Sequence, residues 1–408
     1  MHQIKIAYLV KFITFIILYI LNIEEICDKF LTKFFNYSKG FYNEKIRKNN
    51  EFKKGKKFFR LCTNDILINK PPFPKYVKPL ISVVIPVYNA EFKIKKAIRS
   101  IQNQNISNLE IILINDFSTD KTKDIIDKLQ DTDERIIILE NMSNKGIFYS
   151  RCIGTLKSKG KYIFPLDNDD LFFNEFVLDT IVKKAKKDKF DIVEFMYSEY
   201  YNLYRPPSVL ISTEYGNHTN NLVLKQPELG QFPRKKNNIY GVYDSFIWGK
   251  CINSEIYKRS INKIGSKLYS KYILRGEDFI ITFVLFRMAK SFKFLSIYGI
   301  FRFKNILTAT YQSSRELFLL SRIIYLDVIL KFTDNNFEDK MYVVYFSNFF
   351  LPIMNEEYNN LNEENKIYFK KVFCKLVNNK YIKKKHKNKF FYYIHNSPLF
   401  KIKNLFIY

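Results

Sequence analysis

Apolar residues along the first half of the chain alternate between two rhythms. Ile81 to Tyr88 (I-S-V-V-I-P-V-Y) is a continuous run rich in β-branched residues, which predicts a buried strand. Ile94, Ala97, Ile98 and Ile101 then fall on one face at helical spacing. The alternation repeats. Leu109 to Ile114 predicts a second strand, Ile125, Ile126 and Leu129 line a second helix, and Arg135 to Leu139 predicts a third strand. A helix opened by Asn144-Lys145-Gly146 runs through Ile153. Lys161 to Leu166 predicts a fourth strand and Phe190 to Met196, after another helix, a fifth. Strands alternating with helices specify a parallel, doubly wound sheet, because each crossover between parallel strands is right-handed.

Polar residues collect where these strands stop: Asn89 and Glu91, Asn115 and Asp116, Asn144 and Gly146, Asp167 and Asp169. Helical faces alone do not put them there. Ligands of open α/β sheets sit beyond the carboxyl ends of the strands, so the pattern reads as a ligand-binding α/β domain. The densest of these ends is K-Y-I-F-P-L-D-N-D-D-L, Lys161 to Leu171, with carboxylates at Asp167, Asp169 and Asp170. Clustered carboxylates repel unless a cation or protons neutralise them. Mg²⁺ and Mn²⁺ commonly take one or two such groups together with substrate phosphates. The competing reading is a turn whose Asp and Asn cap the helix that follows. Neither G-x-G-x-x-G nor G-x-x-x-x-G-K-[ST] follows the first strand, which disfavours ordinary dinucleotide or P-loop binding. A diphosphate held without a glycine cradle needs other neutralisation, from a metal on Asp169 with Arg151 in support.

The ends of the chain differ in character. Ile6 to Ile23 is almost continuously apolar, broken by Lys11 and Thr14, and reads as a single membrane anchor at the short limit for a bilayer. The alternative is a helix lying on the protein or in the interface. The expected organisation is a hydrophobic helix over 1–30, a basic stem over 31–79, the α/β domain over 80–310 and a basic, aromatic, helical extension over 311–408. Membrane association through residues 6–23 is expected, with the side left open. The formal charge of +27 comes from lysines spread over the whole length, with arginine in the minority, so nucleic acid is not the expected partner. Cys27, Cys62, Cys152, Cys251 and Cys374 include no C-x-x-C, which argues against a disulfide framework or a zinc site.

Taken together, V-V-I-P-V-Y-N-A-E, N-D-F-S-T-D-K-T, N-K-G with Ser150-Arg151, Y-I-F-P-L-D-N-D-D, W-G-K at Trp248 to Lys250 and G-E-D at Gly276 to Asp278 resemble glycosyltransferase family 2 with the GT-A fold. The resemblance covers roughly Pro79 to Thr310. It implies an inverting transfer of a hexosyl or N-acetylhexosaminyl group from a nucleoside-diphosphate sugar, a UDP-sugar first, to a hydroxyl of a glycan, lipid or protein. Pro86, Tyr88, Asn89 and Glu91 would border the base and ribose, and Asp116 would hydrogen-bond the base. Asp167, Asn168 and Asp169 match the D-x-D motif, with Asp169 the metal ligand (Mn²⁺ or Mg²⁺) and Asp167 near the ribose or the metal. Arg151 would face the donor. Asp278 matches the base, Glu277 stands beside it, and Trp248 either stacks on the acceptor or packs in the core.

Three departures mark where the pattern is altered. Phe117 stands where a small residue is usual, Cys152 replaces an Asn, and Tyr200 to Val242 carries no clean motif. The alternatives carried forward are a nucleotidyltransferase, a nucleotide-sugar binder without turnover, and a basic nucleic-acid binder whose affinity would fall steeply with salt.

Overall fold

The computed structural model describes residues 50–68, 78–200, 246–265 and 277–303, with 223–225, 235–236, 239–240 and the single residues 328, 363 and 366. In chain order the elements are α1 (Asn50–Thr63), β1 (Ile81–Val87), α2 (Ile94–Gln102), β2 (Leu109–Asn115), α3 (Thr122–Thr132), β3 (Ile136–Glu140), α4 (Ile147–Lys157), β4 (Tyr162–Pro165), β5 (Leu171–Phe172) and α5 (Val177–Asp188). They continue as β6 (Ile192–Tyr200), β7 (Val223–Lys225), β8 (Lys235–Lys236), β9 (Ile239–Tyr240), β10 (Lys250–Asn253), α6 (Ser254–Ile264), α7 (Glu277–Met288) and β11 (Ser291–Phe303).

One sheet runs β3-β2-β1-β4-β10-β6-β11-β5, with β7 added to β11, while β8 and β9 form a separate pair. β1 pairs in parallel with β2 and β4, β2 with β3, and β6 with β11. The expected parallel half is therefore present. The antiparallel insertion of β10 between β4 and β6 was not anticipated. Neither were β5 and β7, which run against β11. A four-residue strand and a two-residue strand carry too few positions for a period to register.

Alternation along the strands distributes side chains to two cores. Val83, Ile85, Leu109, Ile111 and Leu113 pack with Phe58, Ile94, Ile98, Ile101 and Ile181 of α1, α2 and α5. On the opposite face α4 lies directly on the strands, because Gly154 has no side chain. A Cβ there would meet Ile114 Cδ1 at 2.4 Å and Val84 Cγ1 at 2.6 Å. The sheet is thus covered on both sides, as doubly wound folds require.

α1 lies within the stretch expected as a stem. Its Phe58, Phe59 and Cys62 are buried against the sheet layer, with Phe59 edge-on to Tyr200 (5.1 Å) and Phe301 (5.4 Å). The hydrophobic segment 6–23 and almost all of the extension over 311–408 lie outside the described residues, and among the described residues no helix is long and apolar enough to cross a membrane.

Gly154→Ala should cost about 1–3 kcal/mol, the usual range for overpacking a filled core, because Val84 and Ile114 are themselves fully buried. Chemical denaturation of the two proteins measures it.

Candidate active site

The turns after β1 and β2 are laced together by side chains that the sequence placed at strand ends. Asn89, at φ 43°, donates its amide to Ser118 Oγ (3.1 Å) and accepts from the Thr119 amide (2.9 Å). Glu91 accepts from the Lys121 amide (3.1 Å), and its own amide donates to Asp120 (3.2 Å). Asn89 and Glu91 therefore shape the loops, and Pro86 is buried at the end of β1. Tyr88 is 46% exposed and Phe117 54% exposed, two aromatic faces left open beside these turns. Phe117 holds φ at 64°, a conformation that favours glycine, which explains why a small residue is usual there.

Asp116 is buried and holds the loop after β3. Its Oδ1 accepts from Asn141 Nδ2 (2.7 Å) and the Lys145 amide (2.8 Å), and its Oδ2 from the Gly146 amide (2.8 Å). Gly146 sits at φ 86°, and this left-handed turn directs successive N–H groups at one carboxylate. One acceptor position on Oδ2 is left for a further N–H donor.

The carboxylate-rich turn after β4 lies beside α7. Arg151, fully buried on α4, joins them: Nη2 donates to Asp167 (2.6 Å), and Nη1 donates to Asp278 and lies 3.4 Å from Glu277. Its Nε has no hydrogen-bond partner. Arg151 was expected to face the donor; here its guanidinium is spent on the protein's own acids. Asn168 Nδ2 donates to the Pro86 carbonyl (3.3 Å), which fixes the turn against β1. Asp169 Oδ2 pairs with Lys93 Nζ at 3.3 Å, and its carbonyl accepts from the Tyr200 hydroxyl. Asp170 is buried and accepts from the Phe303 amide (2.8 Å).

These acids outnumber their counter-charges. Burial lifts Glu277 to about 8, with Asp278 adding repulsion and Arg151 opposing. Burial also lifts Asp278 to about 6, again with Arg151 pulling down. Burial holds Asp169 above the usual carboxylate range and Asp170 well above it, with neighbouring carboxylates adding to both. The arrangement is short of positive charge, and its donors are hard oxygens, the set that Mg²⁺ or Mn²⁺ prefers. Among the described residues no three His, Cys, Asp or Glu side chains are placed to hold a metal alone.

Trp248 is buried rather than open. It stacks on Phe246 (4.7 Å) and meets Tyr197 edge-on (4.9 Å). Arg302 at the end of β11 lies over all three rings and pairs with Glu199 at 3.2 Å. Lys250 is buried in an ion pair with Glu194 (3.1 Å). Lys93, Glu194, Glu199 and Tyr200 were not singled out from the sequence. Each lies far along the chain from its partner, and no spacing announces such a pair.

Residues 82–247 match the family model described as Glycosyl transferase family 2. An uncharacterized glycosyltransferase of Haemophilus influenzae is 44% identical over 97 residues, 24% of this chain and 39% of that protein. A GalNAc(5)-diNAcBac-PP-undecaprenol beta-1,3-glucosyltransferase of Campylobacter jejuni is 36% identical over 110 residues, 27% of this chain and 35% of that one. The match therefore spans well under two thirds of either relative. Among solved structures, S. aureus TarS 1-349 in complex with UDP-GlcNAc superposes with a TM-score of 0.53 at 16% identity, over 73% of this chain and 80% of that one. At that identity the likeness concerns the fold. The sequence match over residues 82–247 is to glycosyltransferase family 2, and the shared architecture agrees with it at the level of fold.

Proposed function

We propose that the domain transfers a sugar, with inversion, from a nucleoside diphosphate to a hydroxyl acceptor. The observation that carries the reading is the meeting of the Asp167–Asp169 turn and Asp278 on either side of Arg151, where the parallel strands end. Tyr88 and Phe117 offer faces for a base, and the spare acceptor position of Asp116 suits a base N–H. The solved relative binds UDP-GlcNAc, which favours uridine here. A lipid-linked glycan is the favoured acceptor class, because the Campylobacter relative is named for an undecaprenol diphosphate one.

In the transfer, Asp278 accepts the acceptor hydroxyl's proton as that oxygen attacks the anomeric carbon. The bond from that carbon to the diphosphate oxygen breaks on the opposite face, so the centre inverts. A base near 6 is ionised at neutral pH yet far stronger than an exposed carboxylate. Asp169 and Asp167 would hold a divalent cation, which would supply stabilisation of the charge on the leaving diphosphate. Arg151, held between Asp167 and Asp278, positions the base relative to the donor turn.

A panel of nucleotide sugars with Mn²⁺ or Mg²⁺ should show turnover of one or two donors, abolished by chelator and by Asp169→Ala. No turnover with any donor, or turnover untouched by either treatment, rejects the metal assignment. Asp278→Asn should bind donor as the parent does and lose transfer by at least about a hundredfold, as expected for a lost general base. Loss of donor binding in a folded variant contradicts that role. For the parent, kcat/KM should climb about tenfold per pH unit below about 6 and level off above it, since only ionised Asp278 accepts the proton.

Arg151→Met should destabilise the fold by about 3–5 kcal/mol at pH 8, because buried acids lose their cation. The deficit should shrink towards pH 5, where those acids take up protons in the folded variant. A pH-independent deficit would assign the loss to packing alone.

A further inference from the structure

We propose that the outer face of α1, with the turn that follows it, docks the chain on an anionic lipid surface. Gly55, Phe58, Phe59 and Cys62 face inward and are buried. At helical spacing Lys53, Lys57 and Arg60 then stand on the side diametrically opposite, all exposed, with Lys54 and Lys56 flanking them. The helix is anchored at its back, since a Cβ on Gly55 would meet the Phe173 ring at 2.5 Å. Its cation stripe therefore keeps a fixed orientation on the protein.

A basic stripe alone would be an ordinary solvated face. The second observation is what lies at its end. Ile66 and Leu67 are 46% and 50% exposed, although their backbone is tightly held. The Ile66 amide donates to the Leu61 carbonyl (2.9 Å), its carbonyl accepts from Asn103 Nδ2 (2.8 Å), and the Ile68 amide donates to Asn103 Oδ1 (2.7 Å). Asp65, just before Ile66, is tied to Lys95 and Arg99 by contacts of 2.5 Å. Two large apolar side chains are thus held out beside an open groove lined by Lys53, Lys57, Arg60 and Leu61. Cations that meet phosphate headgroups, next to apolar side chains that can enter the acyl boundary, form the pattern of an interfacial membrane contact. A nucleic acid would use the cations and leave Ile66 and Leu67 without a role.

The proposal does not depend on the transfer chemistry, because none of these residues belongs to the site. The test uses the full chain and sedimentation with phosphatidylcholine vesicles, with and without one third phosphatidylglycerol. The parent should partition onto the anionic vesicles at least about tenfold better, an effect that high salt collapses, since each cation near such a surface contributes about fivefold. Lys53→Glu/Lys57→Glu/Arg60→Glu should lose most of that preference. Lys184→Glu/Lys186→Glu/Lys187→Glu on α5, an equal change in net charge, should keep it. Ile66→Ser/Leu67→Ser should weaken binding severalfold while leaving the salt sensitivity. Should the glutamate stripe variant fail to fold, judged by circular dichroism, the Gln versions replace it.

The inference is overturned if the parent shows no anionic preference, if the stripe variant retains it, or if the α5 control loses as much. Binding of a fluorescent single-stranded RNA through the stripe, without vesicle binding, overturns it as well. Donor hydrolysis measured in parallel should be equal in all these variants, so failure of the membrane contact and failure of the transferase reading are told apart.

Discussion

A single buried guanidinium organises the strand-end acidic cluster of this domain. Arg151 is placed on α4 by the close seat of Gly154 on β1 and β2, one turn further along the helix. From there it reaches the turn after β4 and the start of α7 at once. Burying a cation costs several kcal/mol unless acids compensate it, and here Asp167 and Asp278 do, with Glu277 beside them at 3.4 Å. These acids need Arg151 as much as it needs them. Two loops that share no covalent proximity are thereby held in one register, and any substrate lying between them meets a preset geometry.

Where a carboxylate lies along its strand decides what it does. Glu110 and Asp116 both belong to the β2 segment and both are buried. Glu110, near the strand's start, accepts from Ser82 Oγ (2.6 Å), the Lys159 amide and the Gly160 amide (3.1 Å), and so ties the turn before β4 to β1 and β2. Asp116, just past the strand's end, likewise gathers three donors, but at the end of the sheet where ligands lie in such folds. The chemistry of the two side chains is the same; the topology separates them.

The parallel half of the sheet was readable because each of its strands is a long β-branched run set off by polar turns. β10 and β5 were not, being too short to show a period. β11 does alternate, with Phe292 and Phe294 buried around Lys293, but register shifts near Tyr298 blur its period. In the site, Asp116, Asp167, Asp169 and Asp278 were legible as acids at element ends. Their partners were not. Arg151 lies 126 and 127 positions from Glu277 and Asp278, and Lys93 lies 76 from Asp169. Such pairings come from the folded sheet order and leave no trace in local spacing. The burial of Trp248 and of Lys250 follows from the same cause, since Trp248 leads into the unanticipated β10 and Lys250 opens it.

The Glu277-Asp278 pair shows how one cation can assign roles to two adjacent acids. Both sit in the first turn of α7, where the helix dipole favours negative charge, and both are desolvated. Arg151 Nη1 is in direct hydrogen-bond contact with Asp278 and only 3.4 Å from Glu277, so it favours ionisation of the aspartate more strongly. Near neutral pH the aspartate near 6 is charged, while the glutamate near 8 retains its proton. Two charges side by side in a buried site would repel, and the protonated glutamate removes that repulsion without diluting the charge on its neighbour. The asymmetry of one guanidinium contact thus separates two adjacent acids, holding Asp278 nearer its ionised form and Glu277 nearer its neutral one.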